Sequence, residues 1–502
     1  MKSKKLNFTA IALSVISMII VWCAKYTMYF FKGDLTFNLF PILLIQPVLL
    51  TLFLVMWKKQ LPKWATVVSL TLEVILFLIS FGVGAINILN YPHFFNNLLQ
   101  ALPFIFLGIG LLLSFMYFDK LLKVRKARIA ALVLVVLALA VSVCVTVPCY
   151  LVTGAVVFDT DDEYTVEFIS NRNGLGFVEV TKDGKTETFV QTAHSKKVAH
   201  TNIHQVEIPK EKLQGAEYRV GVKSVLLTVS NHTFFGNTTY GKKITFREPA
   251  SKEGAAFLAV SDIHSLPGGA VKAAEKNLGR LDFIACLGDF VSFSGNRYDL
   301  AMLVDSMAKL SGGEIPVVYT RGNHELMGEG ANAITDYIPT PDGQFYYTFE
   351  YNNAFFIVSD FGTDRSDDDH GFSGLSDGVN YRSEQMDFYK NAVNESKNYD
   401  GDYIVHFSHV PITTDREPLK TDLSEVIDLF NGTIDMSVCG HTHKFKVTEP
   451  NADVKFPVIE EGGNTKTVPS SYIGGIFTLK DGHITLEKVN ANGETLETIN
   501  IQ

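Results

Sequence analysis

Ala255–His264 reads "AAFLAVSDIH". A short unbroken apolar run of this kind describes a strand buried on both faces. It stops at Ser261-Asp262-Ile263-His264, a polar turn with two side chains able to bind a cation. The same pattern recurs along the chain. "LDFIACL" runs into Gly288-Asp289, and "IPVVYT" into Arg321-Gly322-Asn323-His324-Glu325. "DYIVHF" runs into Ser408-His409-Val410-Pro411, and "TIDMSV" into Cys439-Gly440-His441-Thr442-His443. Stretches with helical spacing lie between them, around "GGAVKAAEKNLGR", "RYDLAMLVDSMAKL" and "NYRSEQMDFYKNAV". Strands alternating with helices build an α/β sheet whose strand ends share one rim, where sites are made.

Each turn alone has an ordinary explanation. Asp-x-His can be a turn with a helix cap, Gly-Asp after a strand is common, and Asn323-His324 can be a polar turn. Five such turns at five successive strand ends form a set. The candidate ligands are Asp262, His264, Asp289, Asn323, His324, His409, His441 and His443. This mixture of oxygen and imidazole donors suits divalent transition metals. It is too large for one tetrahedral ion. Two ions roughly 3.5 Å apart, sharing a carboxylate, would use it. Such a pair holds a hydroxide for in-line attack on phosphorus and neutralises the phosphoryl oxygens.

In order, D-x-H, G-D, G-N-H-E, H-x-P and G-H-x-H over about residues 255–450 resemble the calcineurin-like metallophosphoesterase family. The resemblance implies a two-sheet β-sandwich flanked by helices, with a dinuclear metal centre. It implies that Asp262, His264 and His443 bind one metal, that Asn323, His409 and His441 bind the other, and that Asp289 bridges them. His324 would contact the phosphate and protonate or stabilise the leaving oxygen. Glu325 would orient its neighbours. The H-x-P pattern selects His409 over His406. Arg321 either reaches the phosphate or forms a structural ion pair. The implied cofactors are two divalent ions of the Mn, Fe, Zn or Mg kind.

Residues 155–250 alternate apolar and polar positions in "EYTVEFIS", "GFVEVTKDGKTETFVQ" and "HQVEIP", with a hairpin signal at Lys182-Asp183-Gly184-Lys185. A separate β-sandwich is expected here. It loosely resembles the fibronectin-III-like module ahead of purple acid phosphatases. That subfamily carries a tyrosine ligand three residues after the bridging Asp. Ser292 stands at that position here, so a tyrosinate-bound ferric centre is not expected.

The first 153 residues hold five long apolar runs, at about 8–24, 35–57, 65–89, 98–118 and 129–153, each near bilayer-spanning length. Lys2, Lys4, Lys5, Lys58, Lys59, Lys63 and the cluster Lys120–Arg128 fall on one side of these runs, while the other side carries Lys25 and Lys32. Positive charge concentrates in cytoplasmic loops. The expected architecture is therefore multi-domain: five transmembrane α-helices in 1–154, the fibronectin-III-like sandwich in 155–250, and an α/β metallophosphoesterase domain in 251–502. The N-terminus would be cytoplasmic and the catalytic domain extracytoplasmic, in a multi-pass cell-membrane protein. Glu73, inside the third run, is either a functional group or a protonated or hydrogen-bonded carboxyl that faces the bundle or reaches toward the interface.

Residues 1–154 contain 13 Lys+Arg and 3 Asp+Glu, leaving 31 and 50 of the chain's 44 and 53 for the remainder, a balance of −19 there. That excess of acid argues against nucleic acid as a bulk partner. The five cysteines show no disulfide spacing. "TDRSDDDHGFSGLSDG", residues 363–378, reads as a solvated loop, with a substrate-facing lid or an accessory cation site as the alternative. The expected function is hydrolysis of phosphomonoesters or phosphodiesters, small-molecule or lipid-linked, with membrane lipid as a partner. The rival class is a non-catalytic membrane sensor or binding protein with a phosphoesterase-like ectodomain.

Overall fold

The computed structural model describes residues 149–501, apart from 161–162, 230–231 and 248–253. Two sheets face each other. The path of the larger runs Thr495–Asn500, His483–Asn490, Tyr472–Lys480, Gly254–Val260, Phe283–Cys286, Val317–Tyr319, Val156–Thr160, Glu163–Lys182, Glu217–Val229 and His232–Tyr240. The smaller runs Tyr347–Tyr351, Ala354–Val358, Tyr403–Phe407, Met436–Cys439, Val458–Glu460 and Lys446–Thr448. The central strands of each sheet are parallel, with Phe257 opposite Phe283 and Ile284 opposite Val317 in one, and Val405 opposite Met436 in the other.

The two-residue period of a strand explains the layering. Ala255, Phe257 and Ala259 point between the sheets into a core with Phe283, Phe349, Phe356, Phe407 and Phe477. The Phe257 ring stacks on Phe283 and on Phe477, each at 4.9 Å between centroids. Leu258 and Val260 are buried too, outside that core, so the strand is covered on both faces. In the smaller sheet Phe355 and Ile357 turn away from Phe356 and meet Tyr389, Val393 and Phe430 of the helices Met386–Asn398 and Ser424–Phe430. Helices Gly268–Asn277 and Arg297–Ser311 pack on the larger sheet. The second starts at an Asn296–Asp299 capping box and stops at Gly312 in the left-handed region, which fixes its length.

The expected multi-domain architecture is corrected in two respects. Among the described residues no helix is long and apolar enough to cross a membrane. The apolar runs expected to span it, and Glu73, lie outside the described residues except for 149–153, which form a bridge and bends. Secondly, the strands of 155–250 are not a separate fibronectin-III-like sandwich. Val156–Thr160 pairs in parallel with Val317–Tyr319 and antiparallel with Glu163–Lys182, so one sheet runs through both segments. The reason is the run Val156-Val157-Phe158, no residue of which is more than 1 % exposed. A strand that apolar needs cover on both faces and a partner on both edges. Glu163–Lys182 shifts register against Thr201–Pro209 between Ile169 and Gly174 and pairs with Glu217–Val229 from Gly174 onward, around a satellite core of Val166, Phe168, Val178, Val206 and Tyr218.

Candidate metal centre

Parallel strands place their carboxyl ends together. The turns after Gly254–Val260, Phe283–Cys286, Val317–Tyr319, Tyr403–Phe407 and Met436–Cys439 meet at one rim, and the eight predicted side chains converge there. Three clusters have ligand atoms within 4.8 Å of one another: Asp262, His264 and His443; His264, Asp289 and His324; Asp289, His409 and His441. Asn323 joins the last through its Oδ1, 3.1 Å from His409 Nε2 and 2.9 Å from His441 Nδ1. Asp289 Oδ2 lies between the groups, 3.2 Å from His409 Nε2 and 3.9 Å from the Nε2 atoms of His264 and His324.

Backbone carbonyls decide how the imidazoles face inward. A carbonyl only accepts, so the ring nitrogen against it carries the hydrogen. His409 Nδ1 donates to the Leu287 carbonyl at 2.7 Å, His443 Nδ1 to that of Asn464 at 3.0 Å, and His324 Nδ1 to that of Ser292 at 2.6 Å. In each neutral ring the bare Nε2 is left pointing into the site. His264 and His443 bring their Nε2 atoms within 3.0 Å, with rings stacked 6° from parallel. Asp262 Oδ1, buried and without a hydrogen-bond partner, lies 3.5 Å from His443 Nε2 and 3.9 Å from His264 Nε2. Two imidazole nitrogens and a carboxylate oxygen gathered this closely are a set that a cation can hold together. The donor set fits divalent ions, one near Asp262, His264 and His443 and one near Asn323, His409 and His441. Titration points the same way. Burial opposes charge on His409, but the neighbouring carboxylates of Asp289 and Asp262 outweigh it and push that imidazole up to about 10. The same contacts hold Asp289 well below the usual carboxylate range, against its own burial.

The turns carry strain. Asp262, His264, Asp289, His441 and His443 all have positive φ, between 42° and 74°. Side chains rarely adopt this left-handed region, and each such residue costs on the order of 1 kcal/mol or more. Close packing enforces it. A Cβ on Gly440 would overlap Ser261 Oγ, and one on Gly288, at φ 82°, would meet the Gly322 backbone at 2.6 Å. Glu325 ties the Asp289 turn down. Its buried carboxylate accepts from the N–H groups of Asp289 at 2.9 Å, Phe290 at 2.7 Å, Val291 at 3.2 Å and Gly322 at 2.9 Å. Burial and the Asp289 charge push Glu325 up to about 7, against those donors.

Arg321 holds a buried ion pair with Asp360 at 2.6 Å, between the rings of Phe345 and Tyr381. His406 is buried away from the clusters between the hydroxyls of Ser437 and Ser359. Ser292, at the position discussed for a tyrosine, turns its hydroxyl to the His264 carbonyl. Two residues escaped the sequence reading. Asn464 anchors the Asp262–Leu266 turn through its amide, donating to the carbonyls of Ile263 and Leu266. Asp364 is 3 % exposed and accepts from His441 Nε2 at 3.0 Å. Its signal was present: "AFFIVSDFGTD" is a sixth apolar strand followed by a polar turn.

Residues 255–445 match the family model described as calcineurin-like phosphoesterase. Comparison with curated proteins gives no match. Among solved structures, the chain is similar to purple acid phosphatase PPD1 from yellow lupin (Lupinus luteus) seeds, with 15 % identity, TM-score 0.53, and coverage of 69 % of this chain and 74 % of that one. That likeness shows a shared fold. PhoD aligns at 14 % identity and TM-score 0.44 over 70 % of this chain and 91 % of that one. A dimetal phosphatase from Danio rerio aligns at 15 % and 0.39 over 50 % and 99 %. With the family match and the paired ligand clusters together on one rim, residues 255–445 form a calcineurin-like phosphoesterase domain, a metal-dependent phosphohydrolase with places for two divalent ions.

Proposed function

We propose that this chain hydrolyses phosphomonoesters or phosphodiesters at the rim built around Asp289. The observation that carries the reading is the convergence of inward-facing lone pairs from five strand ends on two adjacent points, with Asp289 Oδ2 between them. Asp262, His264 and His443 would hold one ion, Asn323, His409 and His441 the other, and Asp289 both. When bound, such ions supply a nucleophile at neutral pH and neutralise charge on the phosphoryl oxygens. The protein's own groups do the rest. Glu325 and the carbonyls of Leu287, Asn464 and Ser292 fix the orientation of the ligands and of His324. His324 Nε2, beside Asp289 and with its side chain 31 % exposed, is the atom placed to face a leaving oxygen, and in the doubly protonated ring, with Nδ1 still donating to Ser292, it is the one that would hand over a proton. Arg321 is committed to Asp360, so the phosphate would be read by the ions and His324.

Substrate and place are finer points. Phe293 follows Ser292, the residue that orients His324, and is 55 % exposed, which favours a leaving group with an apolar part. The long apolar runs and the one-sided Lys/Arg of residues 1–154 support an extracytoplasmic site beside a membrane, and hence a lipid-linked ester among the candidates. The full-length protein, freed of metal and reloaded with Mn²⁺, should hydrolyse an aryl phosphate or a bis-aryl phosphate, and Asp289→Asn should lose metal and turnover together. A folded protein that binds two Mn²⁺ and turns over neither compound would leave the non-catalytic rival standing. Equal rates on a lipid phosphate and its short-chain analogue would remove the case for a membrane substrate.

A further inference from the structure

We propose that Asp364 is a positioning residue for His441, setting which imidazole nitrogen faces the second cation and tuning its affinity; this rests on His441 being a ligand, as above. Asp364 ends the turn after the strand Ala354–Val358, at the start of a stretch whose composition reads as a solvated acidic loop. Its side chain is nevertheless only 3 % exposed. Oδ2 accepts from His441 Nε2 at 3.0 Å and from Arg416 at 2.9 Å. Arg416 comes from the loop after His409, so the two ligand turns of the smaller sheet and the Asp364 turn are tied at one oxygen.

The chemistry follows from what a carboxylate can do. It has no hydrogen to give, so His441 Nε2 must donate, and in the neutral ring Nδ1 is bare. Nδ1 lies 2.9 Å from Asn323 Oδ1, which has only lone pairs, and His409 Nε2, the nitrogen left to a cation because Nδ1 donates to Leu287, is 3.1 Å from the same oxygen. Three acceptors thus surround one point, and the third is in register only while Asp364 holds the hydrogen on the far side of its ring. His409 and His443 have this service from the carbonyls of Leu287 and Asn464, which no side-chain substitution removes. His441 has it from a side chain, and that makes it testable. The Arg416 guanidinium compensates the buried charge, as a desolvated carboxylate requires. Loss of a carboxylate behind a metal-binding histidine lowers affinity about 10–100-fold.

The experiment is calorimetric titration of chelator-treated full-length protein with Mn²⁺, resolving the two sites, alongside thermal unfolding of the metal-free form. Asp364→Ala should weaken one Mn²⁺ by about 10–100-fold and leave the other within about twofold. Asp364→Asn, of nearly equal volume, guards against misfolding. Its amide can donate to Nε2 and favour the opposite tautomer, so it too should weaken that one ion. Unchanged affinity at both sites in both variants overturns the proposal, as does a lower metal-free unfolding temperature with intact Mn²⁺ binding, which marks a merely structural role. His441→Ala separates the two claims. If it keeps both ions, the ligand assignment itself fails. If it loses one while Asp364→Ala and Asp364→Asn keep both, only the positioning role is refuted.

Discussion

Replacing Glu325 by Gln changes one oxygen to an amide in a fully buried site, and the structure predicts that its cost depends on metal. The carboxylate accepts four backbone N–H groups, two at each oxygen. Gln keeps one acceptor oxygen and turns an NH₂ toward the other two donors. Two buried N–H groups lose their partner, at about 1–3 kcal/mol each, so the loss is roughly 2–6 kcal/mol. An opposing effect is present. Burial and the nearby Asp289 raise Glu325 to about 7, which means that a neutral side chain relieves repulsion there. Cations beside Asp289 cancel that repulsion, so the relief exists only without metal. We therefore predict a small penalty in the metal-free protein and a larger one in the loaded protein. By linkage the difference must appear as weaker binding, about 10–100-fold for Mn²⁺. Titration of chelator-treated wild type and Glu325→Gln, with thermal unfolding at zero and saturating Mn²⁺, measures both sides of the cycle. Equal Mn²⁺ affinity, or an equal loss of unfolding temperature with and without metal, would refute the reasoning. The pH dependence carries the same sign. A carboxyl raised on folding contributes stability that is present below about 4.5 and lost as the pH rises through about 7, so the metal-free wild type should lose stability across that window and Glu325→Gln should not.

Four further outcomes follow from the geometry. His324→Ala should bind two Mn²⁺ like the wild type and lose about 10²–10⁴ in kcat, measured on an aryl phosphate; wild-type turnover would rule out its proton-transfer role. Phe257→Ala opens the aromatic stack between the sheets and should cost about 3–5 kcal/mol in denaturant unfolding, with less than 1 kcal/mol contradicting the inter-sheet core described. His204 is buried against Phe168 and bonded to Ser170, and desolvation lowers it to about 3. Its neutral form is favoured on folding, so stability present above pH 6.5 falls as the pH drops toward 3, by up to about 1.4 kcal/mol per pH unit, and His204→Gln should flatten that slope in acid denaturation. Gly440→Ala, which drives a methyl into Ser261, should lose Mn²⁺ binding; retention of both ions would show that the turn can yield.

Some of this was written plainly in the sequence. Each of the five apolar runs that led into the Asp, Asn and His turns formed a strand whose end joined the rim, because a parallel sheet brings its carboxyl ends together. What escaped had weaker local signals. Asp364 follows an equally apolar strand, but the charges after it, Arg365 to Asp369, hid a buried carboxylate in a solvated-looking stretch. The fusion of the 155–250 strands with the catalytic sheet depended on three residues, Val156 to Phe158, whose parallel partner lies about 160 positions away, at Val317. Alternation along the neighbouring strands is the same whether a sheet is shared or separate. The orientation of His409, His324 and His443 was beyond any side-chain motif, since the groups that set it are the carbonyls of Leu287, Ser292 and Asn464, and every residue has a carbonyl.

The strain at the rim explains why so much structure stands behind so few ligands. Five candidate ligands sit at positive φ, a combined cost on the order of 5 kcal/mol or more, comparable with the whole net stability of a domain. Such turns persist only if something larger holds them. Here the inter-sheet aromatic core fixes the strands that enter the turns, and the contacts at Gly440, Gly288 and Glu325 fix how they leave. Left-handed turns after Gly254–Val260, Phe283–Cys286 and Met436–Cys439 help aim side chains of three strands at the point that Asn323 and His409 reach from two others; extended backbone would send them to alternate faces of the sheet. The same turns crowd acceptor atoms together with only partial compensation, chiefly His409 against Asp289, so the metal-free rim leans on the rest of the fold. Cation binding adds the missing attraction after the geometry is already set. Ligands arranged in advance bind faster and more selectively than ligands gathered by the ion, and the cost of arranging them is met by burying phenylalanines several residues away.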